Sequence, residues 1–130
     1  FDLDVTSPLR KVTDIKKAFS LFLKSKKDML ISGNESRKNP YFNMVKVDEE
    51  GVASLVISPE KNITRRQDTP NIYDMTTVAY VTAPKFVLEK DNLFSGKVRH
   101  VHVPIERALD IDTPYDLKIA ELLLSKKWNK

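Results

Sequence analysis

The chain has 130 residues, 41% hydrophobic and 31% charged, with a formal net charge of +4 and no cysteine. That length holds one domain with a real core, and the mix of apolar and charged residues excludes a disordered chain. The absence of cysteine excludes a disulfide framework and thiolate chemistry, and suits a cytoplasmic protein. The apolar runs are too short to span a membrane and no signal-peptide pattern opens the chain, so no membrane partner is expected. The lysines lie along helix faces with no aromatic stacking platform among them, so no nucleic-acid partner is expected either.

Phe1 to Val5 read as a strand, stopped by Thr6-Ser7-Pro8. A chain that opens at Phe1 already inside a strand is expected to be a piece of a longer domain. Thr13 is the predicted cap of a helix over 14–27, where Ile15, Ala18, Phe19, Phe22 and Leu23 recur at helical spacing. Met29-Leu30-Ile31-Ser32, bounded by Gly33, reads as a buried strand. Strand, helix and strand with short links form a βαβ unit, and such crossovers build parallel sheets.

Residues 41–47 and 52–57 alternate across Asp48-Glu49-Glu50-Gly51, a hairpin signature with glycine at the tight position. Residues 58–75 carry two prolines, two adjacent arginines and no periodicity, which predicts an extended functional loop. Hairpin and loop together, about residues 35–75, form an excursion from the sheet. A strand follows over 78–82, a short helix over 84–89 and a half-exposed strand over 97–103. His100 and His102 share a face of that strand without a cysteine or acid at ligand spacing, which predicts exposed edge-strand histidines rather than a zinc site.

Glu106 to Asp112 read as a short strand that stops at a helix start. On a strand Asp110 and Asp112 share one face, and Leu109 and Ile111 the other. Thr113 stands at the N-cap of a helix over 114–126, with Pro114 at its first position and Asp116 three residues beyond the cap. Leu117, Ala120, Glu121 and Leu124 mark one side of that helix, while Ile119, Leu122 and Leu123 widen its buried face. The two aspartates form either a platform for a hard cation such as Mg²⁺, which takes one or two carboxylates plus substrate phosphates, or a strand end with solvated acids.

Two more polar clusters stand out. Asp4, Thr6 and Ser7 in the run Asp4-Val5-Thr6-Ser7-Pro8-Leu9-Arg10 are suited to hydrogen-bond a sugar or base, and equally to a turn that stops a strand. Arg66, in Arg65-Arg66-Gln67-Asp68, is either a bidentate clamp for a carboxylate or phosphate, or a surface arginine. With 3 glycines in total, the chain has no material for a glycine-rich phosphate cradle.

The run Asp4 to Arg10 with Asp14-Ile15, then Asn39-Pro40-Tyr41-Phe42-Asn43-Met44, then Arg65 to Asp68 with Tyr73 and Tyr80-Val81, then Asp110-Ile111-Asp112-Thr113 and Asp116, resembles the acylneuraminate cytidylyltransferases. The match runs in order over nearly the whole chain. The resemblance implies an α/β, three-layer Rossmann-like nucleotidyltransferase fold, incomplete here, with a mixed, mostly parallel sheet flanked by helices. Residues 1–130 would be a single partial domain, and residues 35–75 a β-hairpin dimerisation arm of a homodimer.

The implied reaction joins CTP and an acidic nonulosonic sugar, giving the CMP-sugar and pyrophosphate with Mg²⁺ as cofactor. On the family pattern Asp110 and Asp112 are the catalytic, metal-holding pair. Arg66 faces the sugar carboxylate, Tyr80 and Phe94 line the pocket for its acyl substituents, and Asp4, Thr6 and Ser7 contact the substrate. Asp4 stands where many members have glutamine, and Thr76-Thr77 where the family usually shows Asn-Gly. The family's nucleotide loop would lie before Phe1, so the 130-residue chain alone is expected to have little or no activity. The competing readings are activation of a different keto-deoxy sugar acid, and a non-catalytic binding or dimerisation module derived from the fold.

Overall fold

The computed structural model describes residues 1–58 and 65–125, without the side chain of Arg66. The described chain divides into two compact units, one formed by Phe1–Asn34 with Met75 onward, the other by Glu35–Asp74.

The first unit is built on a three-stranded sheet in the order β4-β1-β5, from β1 (Met29–Glu35), β4 (Tyr73–Thr82) and β5 (Val98–His102). β1 and β5 run parallel, Met29 opposite Val98 through Gly33 opposite His102. Contacts between β1 and β4 run in the opposite sense: Thr82 Oγ1 donates to the Asp28 carbonyl, and Ser32 Oγ to the Thr76 carbonyl. The sheet is therefore mixed, as expected, but with one parallel and one antiparallel pair rather than mostly parallel strands. Gly33 does not end β1 but pairs within it.

That start is itself different. Phe1–Val5 is not a strand; Asp2 alone bridges to Tyr80, antiparallel, through two backbone bonds of 3.0 and 2.9 Å. The reason is the Asp4 side chain, whose Oδ1 accepts the Thr6 amide at 3.1 Å and hydroxyl at 2.9 Å and turns the chain away.

Helix α1 spans Val12–Ser25 and seats part of its apolar stripe on the sheet, while Phe19 and Leu23 of that stripe stay exposed. Ala18 is fully buried against Leu30, Ala79, Val81 and Val101, with Leu21 and Phe22 packed beside them. Thr13 is not its cap. Lys11 takes that position, and its amide donates to Asp14 Oδ2 at 2.9 Å. Lys26, in the left-handed region at φ 50°, ends the helix.

Helix α2 (Pro84–Glu89) occupies the predicted residues. Helix α3 (Pro114–Leu124) starts as predicted, but its buried face is narrow: Ala120 is buried, Ile119 and Leu123 are half-buried, and Leu117, Leu122 and Leu124 are exposed. Among the described residues no helix is long and apolar enough to cross a membrane.

The second unit holds the predicted hairpin, β2 (Val45–Val47) against β3 (Ala53–Leu55), closed by Gly51 at φ 84°. Buried Asn39 organises its entry. The Asn39 carbonyl accepts the amides of Phe42, Asn43 and Met44, its Oδ1 accepts the Tyr41 amide, and its Nδ2 donates to Thr69 Oγ1 and the Pro70 carbonyl. Glu35, Asn39, Gln67 and Tyr73 are among the residues lining a cavity of about 470 Å³ within this unit.

Candidate functional site

The segment carrying Asp110 and Asp112 is not a strand. Residues Ile105–Arg107 form a single 3₁₀ turn, with the Arg107 amide donating to the Pro104 carbonyl and the Ala108 amide to that of Ile105. The chain then runs irregularly to Thr113. Pro104 has no amide to give a ladder, and Ile111 makes one cross-chain backbone bond, its amide donating to the Thr6 carbonyl at 3.0 Å. Strand alternation thus does not relate the two aspartates. Asp110 is half-buried, whereas Asp112 is exposed.

Three anchors hold this irregular segment. Ahead of it, Arg107 grips Asp14 of α1 bidentately, Nε to Oδ2 at 2.8 Å and Nη2 to Oδ1 at 2.8 Å. Behind it, the capping box of α3 closes as predicted: Thr113 Oγ1 accepts the Asp116 amide, and Asp116 Oδ2 accepts the Thr113 amide at 2.8 Å. In the middle, Ile111 hangs from Thr6.

Thr6 is fixed in turn. The Ser7 hydroxyl is fully buried and paired with that of Thr77 at 2.6 Å. Arg10 donates from Nε to the Ser7 carbonyl and from Nη1 to that of Val78, both at 2.9 Å. Thr76 donates to Ser32 Oγ, which also accepts the Ala79 amide. Thr76 and Thr77 thus supply hydroxyls that pin the turn and strand behind the site.

The candidate residues fall into distinct settings. Asp4 Oδ1 is committed to Thr6, which holds its pKa below the ordinary carboxylate range, first through the Thr6 amide. Ser7 and Thr6 likewise face protein partners here. Tyr80, on β4, is half-buried; burial first, then the charges of Asp110, Asp2 and Asp4, push its hydroxyl pKa up. These influences place three carboxylates within electrostatic reach of one phenol.

Tyr80 also lines a cavity of about 530 Å³ with Phe1, Asp2, Met29, Pro84, Val87 and Leu93 among its neighbours. Phe94 is not in that lining; it is 67% exposed, and its neighbour Leu93 takes the wall. Arg66 opens the 3₁₀ turn Arg66–Asp68, and its side chain lies outside the described residues. The histidines are corrected in one respect: His102 is exposed, but His100 is half-buried, and burial lowers its pKa.

A metal fits the Asp110 position. Its Oδ1 is buried with no hydrogen-bond partner among the described residues, although a buried carboxylate oxygen without a donor or cation is costly. Among those residues no three His, Cys, Asp or Glu converge as a closed metal cage. Mg²⁺ bound by one or two carboxylates and substrate oxygens does not require one.

The chain is 36% identical over 126 residues to the post-translational flagellin modification protein B of Campylobacter coli, a match covering 97% of this chain and 52% of that protein. It is 39% identical over 98 residues to the CMP-N,N'-diacetyllegionaminic acid synthase of Campylobacter jejuni, covering 75% of this chain and 40% of that protein. It is 29% identical over 114 residues to an N-acylneuraminate cytidylyltransferase of Streptococcus agalactiae, covering 88% of this chain and 27% of that protein. The chain is thus similar over most of its length to proteins named as a CMP-sugar synthase and as an N-acylneuraminate cytidylyltransferase. It spans about half the length of the first of these curated relatives and less of the other two. No family model matches it.

Within the family reading, single-sequence reasoning missed Asp2, Arg107 and Leu93. Asp2 carried a usable signal, since it stands two residues from Asp4. Nothing local in the sequence links Arg107 to Asp14, which are 93 positions apart.

Proposed function

We propose that these 130 residues contribute the metal-holding and sugar-facing part of a cytidylyltransferase that transfers CMP from CTP to an acidic nonulosonic sugar. The sugar's anomeric hydroxyl attacks the α-phosphorus in line, its proton passes to solvent, and the bond to pyrophosphate breaks so that pyrophosphate leaves. The observation that carries this reading is the buried, unpartnered Oδ1 of Asp110 beside the Thr6 turn. The named activities of two relatives supply the reaction.

Asp110 and Asp112 would hold Mg²⁺, which when bound neutralises phosphate charge and polarises the reacting oxygens. The chain's own residues position the reactants. The Asp110 segment is fixed at both ends, and Tyr80, whose ionisation is opposed first by burial and then by Asp110, Asp2 and Asp4, offers a hydroxyl donor. Arg66 is proposed to face the sugar carboxylate, and the cavity beside Tyr80, with Leu93 and neighbouring Phe94, to receive the acyl substituents.

The second unit is proposed as a dimerisation arm. Its support is the apolar surface of the hairpin, where Val45, Val47 and Val52 are all exposed. Sedimentation of the chain, with Val47→Lys as control, tests this: a wild-type monomer at micromolar concentration contradicts it.

Pyrophosphate release with CTP, Mg²⁺ and a panel of nonulosonic and keto-deoxy acids tests the activity. It is measured on the 130-residue chain and on any longer protein that contains it. Little turnover is expected from the chain alone, since its 3 glycines provide no phosphate cradle. In a longer active protein Asp110→Asn is expected to abolish turnover, and full activity in that variant contradicts the reading.

A further inference from the structure

We propose that Asp14 and Arg107 form a positioning pair that sets the Asp110 carboxylate for its cation. The inference rests on the metal reading above and adds two residues that reading does not use.

Segment 108–112 has no sheet ladder to hold it. Rigidity must come from its anchors, because ordering each backbone residue costs about 1–2 kcal/mol in lost conformational freedom. The α3 capping box fixes the far end, and Thr6 accepts one amide in the middle. The near end depends on Arg107, three residues before Asp110. Arg107 sits in a 3₁₀ turn whose backbone bonds are all local, from Arg107 to Pro104 and Ala108 to Ile105. Those bonds shape the turn but attach it to nothing.

The attachment is the guanidinium. Its two bonds to Asp14 at 2.8 Å are parallel and bidentate, and the Asp14 side chain is only 5% exposed, against 27% for Arg107. A planar fork on a buried carboxylate fixes direction as well as distance, which a lysine does not. Asp14 is immobile in turn. Its Oδ2 also accepts the Lys11 amide at the start of α1, and α1 is seated on the sheet through Ala18. The pair therefore ties the aspartate segment to the rigid core. The other ion pair among the described residues, Lys85–Glu89, is exposed at 3.9 Å within one helix and has no such reach.

The test is Mn²⁺ binding, followed by electron paramagnetic resonance, to the chain and its Arg107→Met, Arg107→Lys, Asp14→Asn and Asp110→Asn variants. Mn²⁺ is the probe because oxygen donors take it as they take Mg²⁺. All measurements are made well below each variant's melting temperature. Asp110→Asn should lose the site. Arg107→Met and Asp14→Asn should bind about tenfold more weakly, as loss of groups that orient metal ligands commonly does, with Arg107→Lys in between.

A pair that served only to stabilise the fold would leave affinity unchanged in folded variants. Wild-type affinity in Arg107→Met, with Asp110→Asn defective, overturns the positioning role and leaves the metal reading standing. Wild-type affinity in Asp110→Asn removes the metal reading and the proposal with it. Should Arg107→Met fail to fold, Arg107→Lys and Asp14→Asn decide, together with amide exchange at Ile111. Faster exchange there, against unchanged exchange in β1, supports the pair's role, and unchanged exchange at both overturns it.

Discussion

The two long helices begin with the same device in opposite settings. Each has an aspartate at its third position reaching back to the amide of the capping residue, Asp14 to Lys11 and Asp116 to Thr113. At α3 the device is self-contained, since the Thr113 hydroxyl and Asp116 carboxylate answer each other within four residues at the surface. At α1 the cap is a lysine with no suitable side chain, and the buried Asp14 carboxylate also holds Arg107. Both carboxyl pKa values are held below the ordinary range, Asp14 first by Arg107 and Asp116 first by the Thr113 hydroxyl. One cap serves its helix; the other joins a helix to the candidate site.

The comparison predicts unequal costs. Asp14→Ala, which strands a partly buried guanidinium, should cost about 3 kcal/mol in urea denaturation, the low end for breaking a buried pair. Ser7→Ala breaks another tertiary contact, this time between neutral hydroxyls. It should cost about 1.5 kcal/mol, and adding Thr77→Val should cost less than a second independent loss. Thr113→Ala, removing the local cap, should cost about 1 kcal/mol. A Thr113→Ala loss equal to that of Asp14→Ala would erase the distinction between the two helix starts.

The smallest expected difference is in pH response. Because Asp14 is held below its ordinary value of 3.8, its contribution is complete above that pH and is lost as pH falls through the lower folded-state value. Asp14→Asn should therefore flatten the acid limb of stability measured by thermal melts between about pH 5 and 2. Asp116→Asn should flatten it less, because solvent screens an exposed partner. The reverse order would mean that Arg107 does not govern Asp14 in solution.

The same divide separates what was legible from what was not. Helix α2, the start of α3 and the hairpin at Gly51 follow from residues within a few positions of one another, where capping, turn chemistry and periodicity act. Errors had both distant and local causes. Thr13 looked like the cap, but Asp14 answered to Arg107. Phe1–Val5 looked like a strand, but Asp4 captured Thr6. Residues 106–112 looked like a strand, but offered no ladder to pair with.

For the candidate site, the ordered motifs pointed to a family resemblance and to Asp110, Asp112 and Tyr80 as candidates. They did not reveal that Asp110 carries a buried, unpartnered oxygen, that Ser7 faces Thr77, or that Leu93 takes the cavity wall beside Phe94. The sequence by itself determined chemistry and local geometry, because those depend on neighbours along the chain. Which carboxylate is buried, which hydroxyl is engaged and what holds the Asp110 segment were decided only by tertiary structure. Those properties depend on groups that folding brings together from 70 and 93 positions away.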